Sequence, residues 1–326
     1  MLNYPFLSAE EKSVFDTIRM QAERCDGKFR VTYTKRIRDI LRAMKYDCPE
    51  TFSVNWHEYS WMEYKQKNLI KVTYTPTCDI TTYKEVLNKT DRLLPLIKGK
   101  TEWEKVKQVH DVIIWMSNYD TDYIDAKKTD PKRYNPYRHS IYGIIMEGLT
   151  VCEGVAQLMN YLLNRLGVFC CVVCGDIKDS DSDAGHAWNI VKIENDYYHI
   201  DTTFDMCITE DKHNIRYDYF CLDDSTIKKD RQFKYREIKY IECRATKHEY
   251  YRTQKSFILG PSQLAPFFQK NVDRLTNITF RCASGITEQE VLSAYVHALK
   301  ALGHREFTYT HGCSDVGVYV LKLKEC

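Results

Sequence analysis

The chain lacks any apolar run approaching the ~20 residues needed to cross a bilayer. Its opening, Met1 to Lys12, also lacks the apolar stretch of a secretory signal. The expectation is a cytoplasmic protein without membrane contact, unless a leader has been removed. Charge imbalance is missing as well: 47 Lys and Arg face 45 Asp and Glu, a formal net charge of +2. Nothing therefore calls for nucleic acid or another polyanion as partner. There are no internal repeats and no low-complexity segments. The dense, regular cysteine spacing of a small disulfide scaffold is also absent. Instead, 13 cysteines are scattered from Cys25 to Cys326, and in a chain this large they read as mostly buried, reduced thiols.

What is present is ordinary globular material. The 326 residues are 44% hydrophobic and 28% charged, enough for two or three domains. One cysteine cluster, Cys170-Cys171-Val172-Val173-Cys174, contains a CxxC. It lies in an apolar run, Val168 to Cys174, that reads as a buried strand. Alternating strand faces would point Cys171 and Cys174 apart, so neither a metal nor a cofactor is expected.

The first segment alternates element types. Ser8 and Glu11 form a capping box ahead of Val14, Phe15, Ile18 and Ala22 at helical spacing. A strand over Phe29 to Tyr33 and a helix over Arg36 to Met44 follow, then strands over Phe52 to Trp56 and Leu69 to Tyr74. The connection holding His57, Tyr59, Trp61 and Tyr64 reads, together with Trp56, as packing aromatics, with a binding face as the alternative. Helices follow over Thr81 to Ile97 and from the Thr101/Glu104 capping box to Met116, where His110 reads as structural or solvated. The polar, tyrosine-rich stretch from Asn118 to Arg138 is a candidate lid or groove wall.

The centre of the chain runs from Thr150 to Phe204. It reads T-V-C-E-G-V-A-Q, then G-H-A-W-N-I-V-K-I, then Y-Y-H-I-D-T-T-F-D. Cys152 stands at the start of a helix ending at Gly167. There, unpaired amides and the macrodipole favour a thiolate, and backbone amides can donate to an oxyanion. His186 begins a strand and can serve as its base, and an aspartate on the next strand can orient the imidazole. Spacing leaves the aspartate open. A tight turn at Asn195-Asp196 would place His186 opposite Asp205, and Asp201 opposite Ile190, about 13 Å from His186 along the strand. Asp201 would then need a longer turn, a bulge or strong twist.

These three motifs, in this order, resemble the bacterial transglutaminase-like superfamily. Glu102 to Asn118 followed by Y-D-T-D resembles that family's lead-in, and R-Y-D-Y-F a strand that follows its aspartate. Phe204 stands where the family often has tryptophan. The resemblance implies a papain-related α+β core, with a helix-start cysteine packed on an antiparallel sheet. It also implies Cys152 as nucleophile, His186 as base and Asp201, ahead of Asp205, as orienter. Tyr119 lies at a suitable distance before the cysteine to be a side-chain oxyanion donor, or else is a packed tyrosine.

The expected organisation is an accessory α/β domain over 1–78 and a transglutaminase-like core over 79–225. A basic connecting segment over 226–259 and a small α+β domain over 260–326 complete it. From Lys228 to Lys255, ten Lys or Arg stand against four Asp or Glu, and their mixture with aromatics reads as the wet face of strands. The expected function is cysteine-dependent acyl transfer at amide bonds of a protein or peptide substrate. Hydrolysis is preferred, because water needs no dedicated site whereas an amine must be bound and water excluded. Glutamine–amine cross-linking and a non-catalytic scaffold are the alternatives.

Overall fold

Ser8 and Glu11 close their capping box reciprocally and start the helix Ala9–Ala22, which buries Val14, Phe15, Ile18 and Ala22. This is the first element of a computed structural model that describes residues 7–124, 130, 135–178, 185–233, 241–271, 277–304 and 307–324. The helix shares one apolar core with the helix Ile37–Asp47 and a three-stranded sheet ordered Lys28–Thr32, Leu69–Pro76, Val54–Tyr64. The aromatic stretch expected to be a connection is strand, because Val54–Tyr64 runs straight through it. A register shift between Val54 and Tyr59 reverses the side-chain parity, so Trp56, Tyr59 and Trp61 all pack on that core.

The central core begins with two helices. Asp79 caps Ile80–Asp91, which ends earlier than its apolar spacing suggests and gives way to a 3-10 turn at Leu94–Leu96. Pro95 explains the break, since it has no N–H to give the Asp91 carbonyl four residues back and its ring clashes with that carbonyl. Thr101 and Glu104 form the second capping box and start Glu102–Met116. The helix Cys152–Arg165 follows and carries the fully buried Leu158, Met159, Leu162 and Leu163. Each such side chain contributes about 1.5–3 kcal/mol on burial. The helix packs on a five-stranded antiparallel sheet ordered Arg231–Phe233, Cys170–Ile177, His186–Ile193, Asp196–Ile200, Phe220–Leu222.

Within the basic segment Lys228, Lys229, Arg244, Lys247 and Lys255 are exposed, but Arg231 departs from the expected wet face. Arg231–Phe233 is the edge strand of the central sheet, and Arg231 is 1% exposed. Its charge is buried among carboxylates instead of facing water.

Two buried amides dock the N-terminal helices onto the Cys152 helix. Gln157 Nε2 donates to Lys45 O at 2.7 Å, and Asn160 Nδ2 to Tyr46 O at 3.0 Å. Both acceptors lie in the last turn of Ile37–Asp47, where carbonyls have no partner within their own helix. Beyond the sheet, a four-stranded sheet ordered Phe257–Ile258, Asn277–Cys282, Val318–Lys324, Thr308–Cys313 is covered by the helices Leu264–Lys270 and Glu288–Ala301. Buried Arg281 ties it to the centre through Glu249 Oε1 at 3.1 Å and the Asp218 carbonyl. Among the described residues, no helix is long and apolar enough to cross a membrane.

Gly154 has a steric reason to be glycine. A Cβ there would stand 2.3 Å from Thr150 Oγ1 and 2.7 Å from the Arg138 carbonyl. The first turn of the Cys152 helix therefore lies directly against the chain at Arg138. Gly154→Ala is expected to destabilise the fold by about 1–3 kcal/mol, measured as a lower urea midpoint at unchanged slope.

Candidate active site

Cys152 is the first residue of its helix. The N-cap, Val151, has an extended backbone and offers no side-chain cap to the helix amides. The positive end of the helix is thus left for another anion. On the neighbouring strand, His186 pairs with Gly175 and is 5% exposed. Its ring is fixed by stacking on Trp188, at 5.8 Å and 18°, and by an edge contact with Phe204 at 5.2 Å.

Asp201 meets His186 directly. His186 Nε2 lies 2.7 Å from Asp201 Oδ2, and Asp201 is fully buried. The obstacle posed by a turn at Asn195-Asp196 is removed in two ways. The turn sits one residue earlier, so Ile193 pairs with Asp196 and Asn189 with Ile200. The strand also ends at Ile200, and Asp201 is not in it. Asp201 is instead the N-cap of the short helix Thr202–Ile208, with Oδ1 accepting from the Phe204 amide at 3.1 Å. Leaving the ladder frees its side chain to swing back to the ring. Asp205, the alternative, faces elsewhere. Its Oδ2 meets His110 Nε2 at 3.1 Å and its Oδ1 accepts from the Tyr219 amide at 2.9 Å. His110 is fully buried between Asp205 and Asp111, so its role is structural.

Electrostatics follow from this geometry. Burial lowers the pKa of His186, but the Asp201 carboxylate and then the Cys152 thiol more than offset it, raising it to about 9. Burial would raise the pKa of Asp201, yet His186 and Arg231 hold it well below the usual carboxylate range. Because Nε2 is occupied by Asp201, the Nδ1 side of the ring is left for the thiol.

Arg231 was not legible as a site residue. Its Nη2 donates to Asp201 Oδ2 at 2.9 Å, and Nη1 lies 3.0 Å from Asp230 Oδ2. The guanidinium lies 3.8 Å from the Phe204 ring centroid and 4.9 Å from that of Tyr219. Only an arginine offers the planar fork that spans two carboxylates while stacking on an aromatic ring. No sequence spacing signals this contact, which depends on an edge strand pairing with Cys170–Ile177.

Tyr119 reaches the same place by a short parallel bridge. Asn118–Tyr119 pairs with Leu149–Thr150, setting Tyr119 beside Thr150 just before Cys152. Burial raises the pKa of its phenol, and Cys152, Cys207 and Asp201 raise it further. The rest of the candidate lid lies partly outside the described residues, at 125–129 and 131–134, as does the acidic approach to His186 at 179–184. The N-terminal segment contributes Tyr46, which packs with Cys152 and Cys174 around Ala156, Val172 and Ala187. Cys171 belongs to a different cluster with Ile190 and Cys243. Cys171 and Cys174 of the CxxC therefore lie in separate apolar clusters.

Residues 95–202 match the transglutaminase-like superfamily. No curated protein matches the chain. Among solved structures, a TGase aligns at 16% identity and TM-score 0.33, over 57% of this chain and 53% of its own. A proposed cysteine protease from Cytophaga hutchinsonii aligns at 15% identity and TM-score 0.27, over 45% of this chain and 61% of its own. A proposed protease from Parabacteroides distasonis ATCC 8503 aligns at 13% identity and TM-score 0.27, over 44% of this chain and 35% of its own. The chain thus spans about half the length of these structures.

Proposed function

We propose that this protein, whose residues 95–202 match the transglutaminase-like superfamily, hydrolyses amide bonds of a protein or peptide through an acyl-thioester on Cys152. The observation that carries the reading is the buried Asp201–His186 contact at 2.7 Å, with the half-buried Cys152 thiol also beside the His186 ring. Asp201, an acceptor only, keeps the proton on Nε2 and favours the imidazolium. The imidazolium in turn favours a thiolate on its other side.

The sulfur attacks the carbonyl carbon, and the carbonyl oxygen becomes an oxyanion. The Cys152 amide at the helix start is its donor, with the Tyr119 hydroxyl as the second. His186 then gives its proton to the leaving amine as the C–N bond breaks. Water, deprotonated by His186, attacks the thioester and releases the acid with Cys152 restored. Hydrolysis is favoured over cross-linking because it requires no amine site.

The test is alkylation of Cys152 by iodoacetamide across pH. At pH 6 an ordinary thiol is on the order of 0.3% thiolate, so alkylation there reports the imidazolium beside the sulfur. His186→Ala is expected to slow labelling at pH 6, with the two rates converging at alkaline pH. Turnover should instead decline above about pH 9, as His186 loses the proton it gives to the leaving amine. Equal labelling of wild type and variant at pH 6 would overturn the reading.

A further inference from the structure

The first turn of the Cys152 helix carries a second cluster that the proposed chemistry does not use. Glu153 Oε2 lies 2.8 Å from His57 Nε2 and 3.1 Å from His139 Nδ1. The three residues come from the long N-terminal strand, the turn Pro136–His139 and the catalytic helix. The two imidazole rings have centroids 4.3 Å apart and are inclined at 49°, both converging on the one oxygen. One ligand atom from each residue lies within 4.8 Å of the others.

In a tetrahedral site with bonds of ~2.0–2.1 Å, neighbouring ligand atoms stand about 3.4 Å apart. Opening the two hydrogen bonds by a few tenths of an ångström admits an ion between them. The outer contacts suit that role. Tyr123 Oη lies 2.9 Å from His139 Nε2. In the metal-free contact Nδ1 carries the proton given to Glu153; with the proton on Nε2 and donated to that hydroxyl instead, Nδ1 becomes bare, the form in which histidine ligates a metal. Lys45 Nζ sits 2.9 Å from the other carboxylate oxygen, Oε1, and 3.3 Å from His57 Nε2. It is the positive charge now balancing Glu153 and would compete with an incoming cation. The cluster borders a small cavity lined also by Asn55 and Gln157.

We propose that His57, His139 and Glu153 bind one divalent transition-metal ion of the zinc class, through two imidazole nitrogens and one carboxylate oxygen, with an open position toward the cavity. Nitrogen-rich sites of this kind suit zinc, nickel or cobalt over calcium or magnesium. Binding shifts both rings to the tautomer whose metal-facing nitrogen is bare, so no proton need leave the site. The bound ion pins the N-terminal strand to the turn that carries Cys152. The proposal does not depend on any activity of Cys152.

Calorimetric titration of the reduced full chain with zinc chloride is expected to give one equivalent of tight binding. His57→Ala and His139→Ala should each weaken it at least tenfold. Lys45→Met should tighten it several-fold, because it removes the competing ammonium; a site holding only a hydrogen-bond network predicts no such gain. Cobalt(II) on the wild type should give the weak visible bands of nitrogen and oxygen ligation. No binding by the wild type, or binding unchanged in both histidine variants, overturns the proposal. A thiolate-to-cobalt band with no component lost on histidine substitution does so too.

Discussion

Asp201→Asn is expected to slow turnover of an activated ester by roughly 10³–10⁴-fold, whereas Asp205→Asn changes it by no more than a few-fold. Asp201 faces donors on every side. Its Oδ1 accepts from the Phe204 amide, and its Oδ2 accepts from His186 and Arg231 together. An amide group in either orientation turns its NH₂ toward one of those donors. If it faces His186, the imidazole must present a bare Nε2 and carry its proton on the thiol side, where it cannot act as base. The same mismatch leaves a buried donor unpaired, a further loss of about 1–3 kcal/mol in stability. Asp205 tolerates the exchange. The amide oxygen can keep the Tyr219 bond, and the NH₂ can donate to His110 Nε2 while His110 Nδ1–H is given to Asp111. Steady-state p-nitrophenyl acetate hydrolysis by both purified variants decides the matter. Equal losses in the two would remove Asp201 from its assigned role.

Arg231→Met is expected to destabilise the protein by about 3–5 kcal/mol at neutral pH, because removing one partner of a buried ion pair strands the other charge. Two carboxylates lose that partner at once, Asp201 and Asp230, both of which bond the guanidinium; Asp201 keeps only His186 and the Phe204 amide, and Asp230 the Tyr219 hydroxyl. Methionine preserves much of the volume against Phe204, so the loss reports charge more than packing. Lysine should not restore it, since an ammonium lacks the fork that reaches both acids. The pH dependence has a definite sign. Asp201 is held below its ordinary pKa in the fold, so its contribution is fully present above about pH 4 and is lost as pH falls toward the depressed value. The gap between wild type and variant should therefore be widest near neutrality and narrow below pH 4. Urea unfolding at a series of pH values measures it, and a gap that stays constant or widens in acid would refute the account.

The legible parts of this molecule are those whose cause is local. Capping boxes at Ser8 and Thr101, the apolar face of the Cys152 helix and the strand opening at His186 are all written in residues a few positions apart. The three motifs around Cys152, His186 and Asp201 carry the family likeness for the same reason. The aromatic stretch from Trp56 to Tyr64 was obscured because a bulge shifts its parity midway, so no single period runs through it. Asp201 could not be ranked over Asp205 by spacing alone, since one residue of turn length and the point where the strand stops decide which carboxylate meets the ring.

By itself, the sequence determined that Cys152 opens a helix, that His186 opens a strand and that an aspartate follows within reach. The tertiary structure alone decided that Arg231 turns inward to hold that aspartate, and that His57 crosses from the N-terminal strand to Glu153. Both contacts join residues far apart in the chain. A charge run looks the same whether its arginine faces water or a buried carboxylate, and only the pairing of edge strand and sheet distinguishes the two.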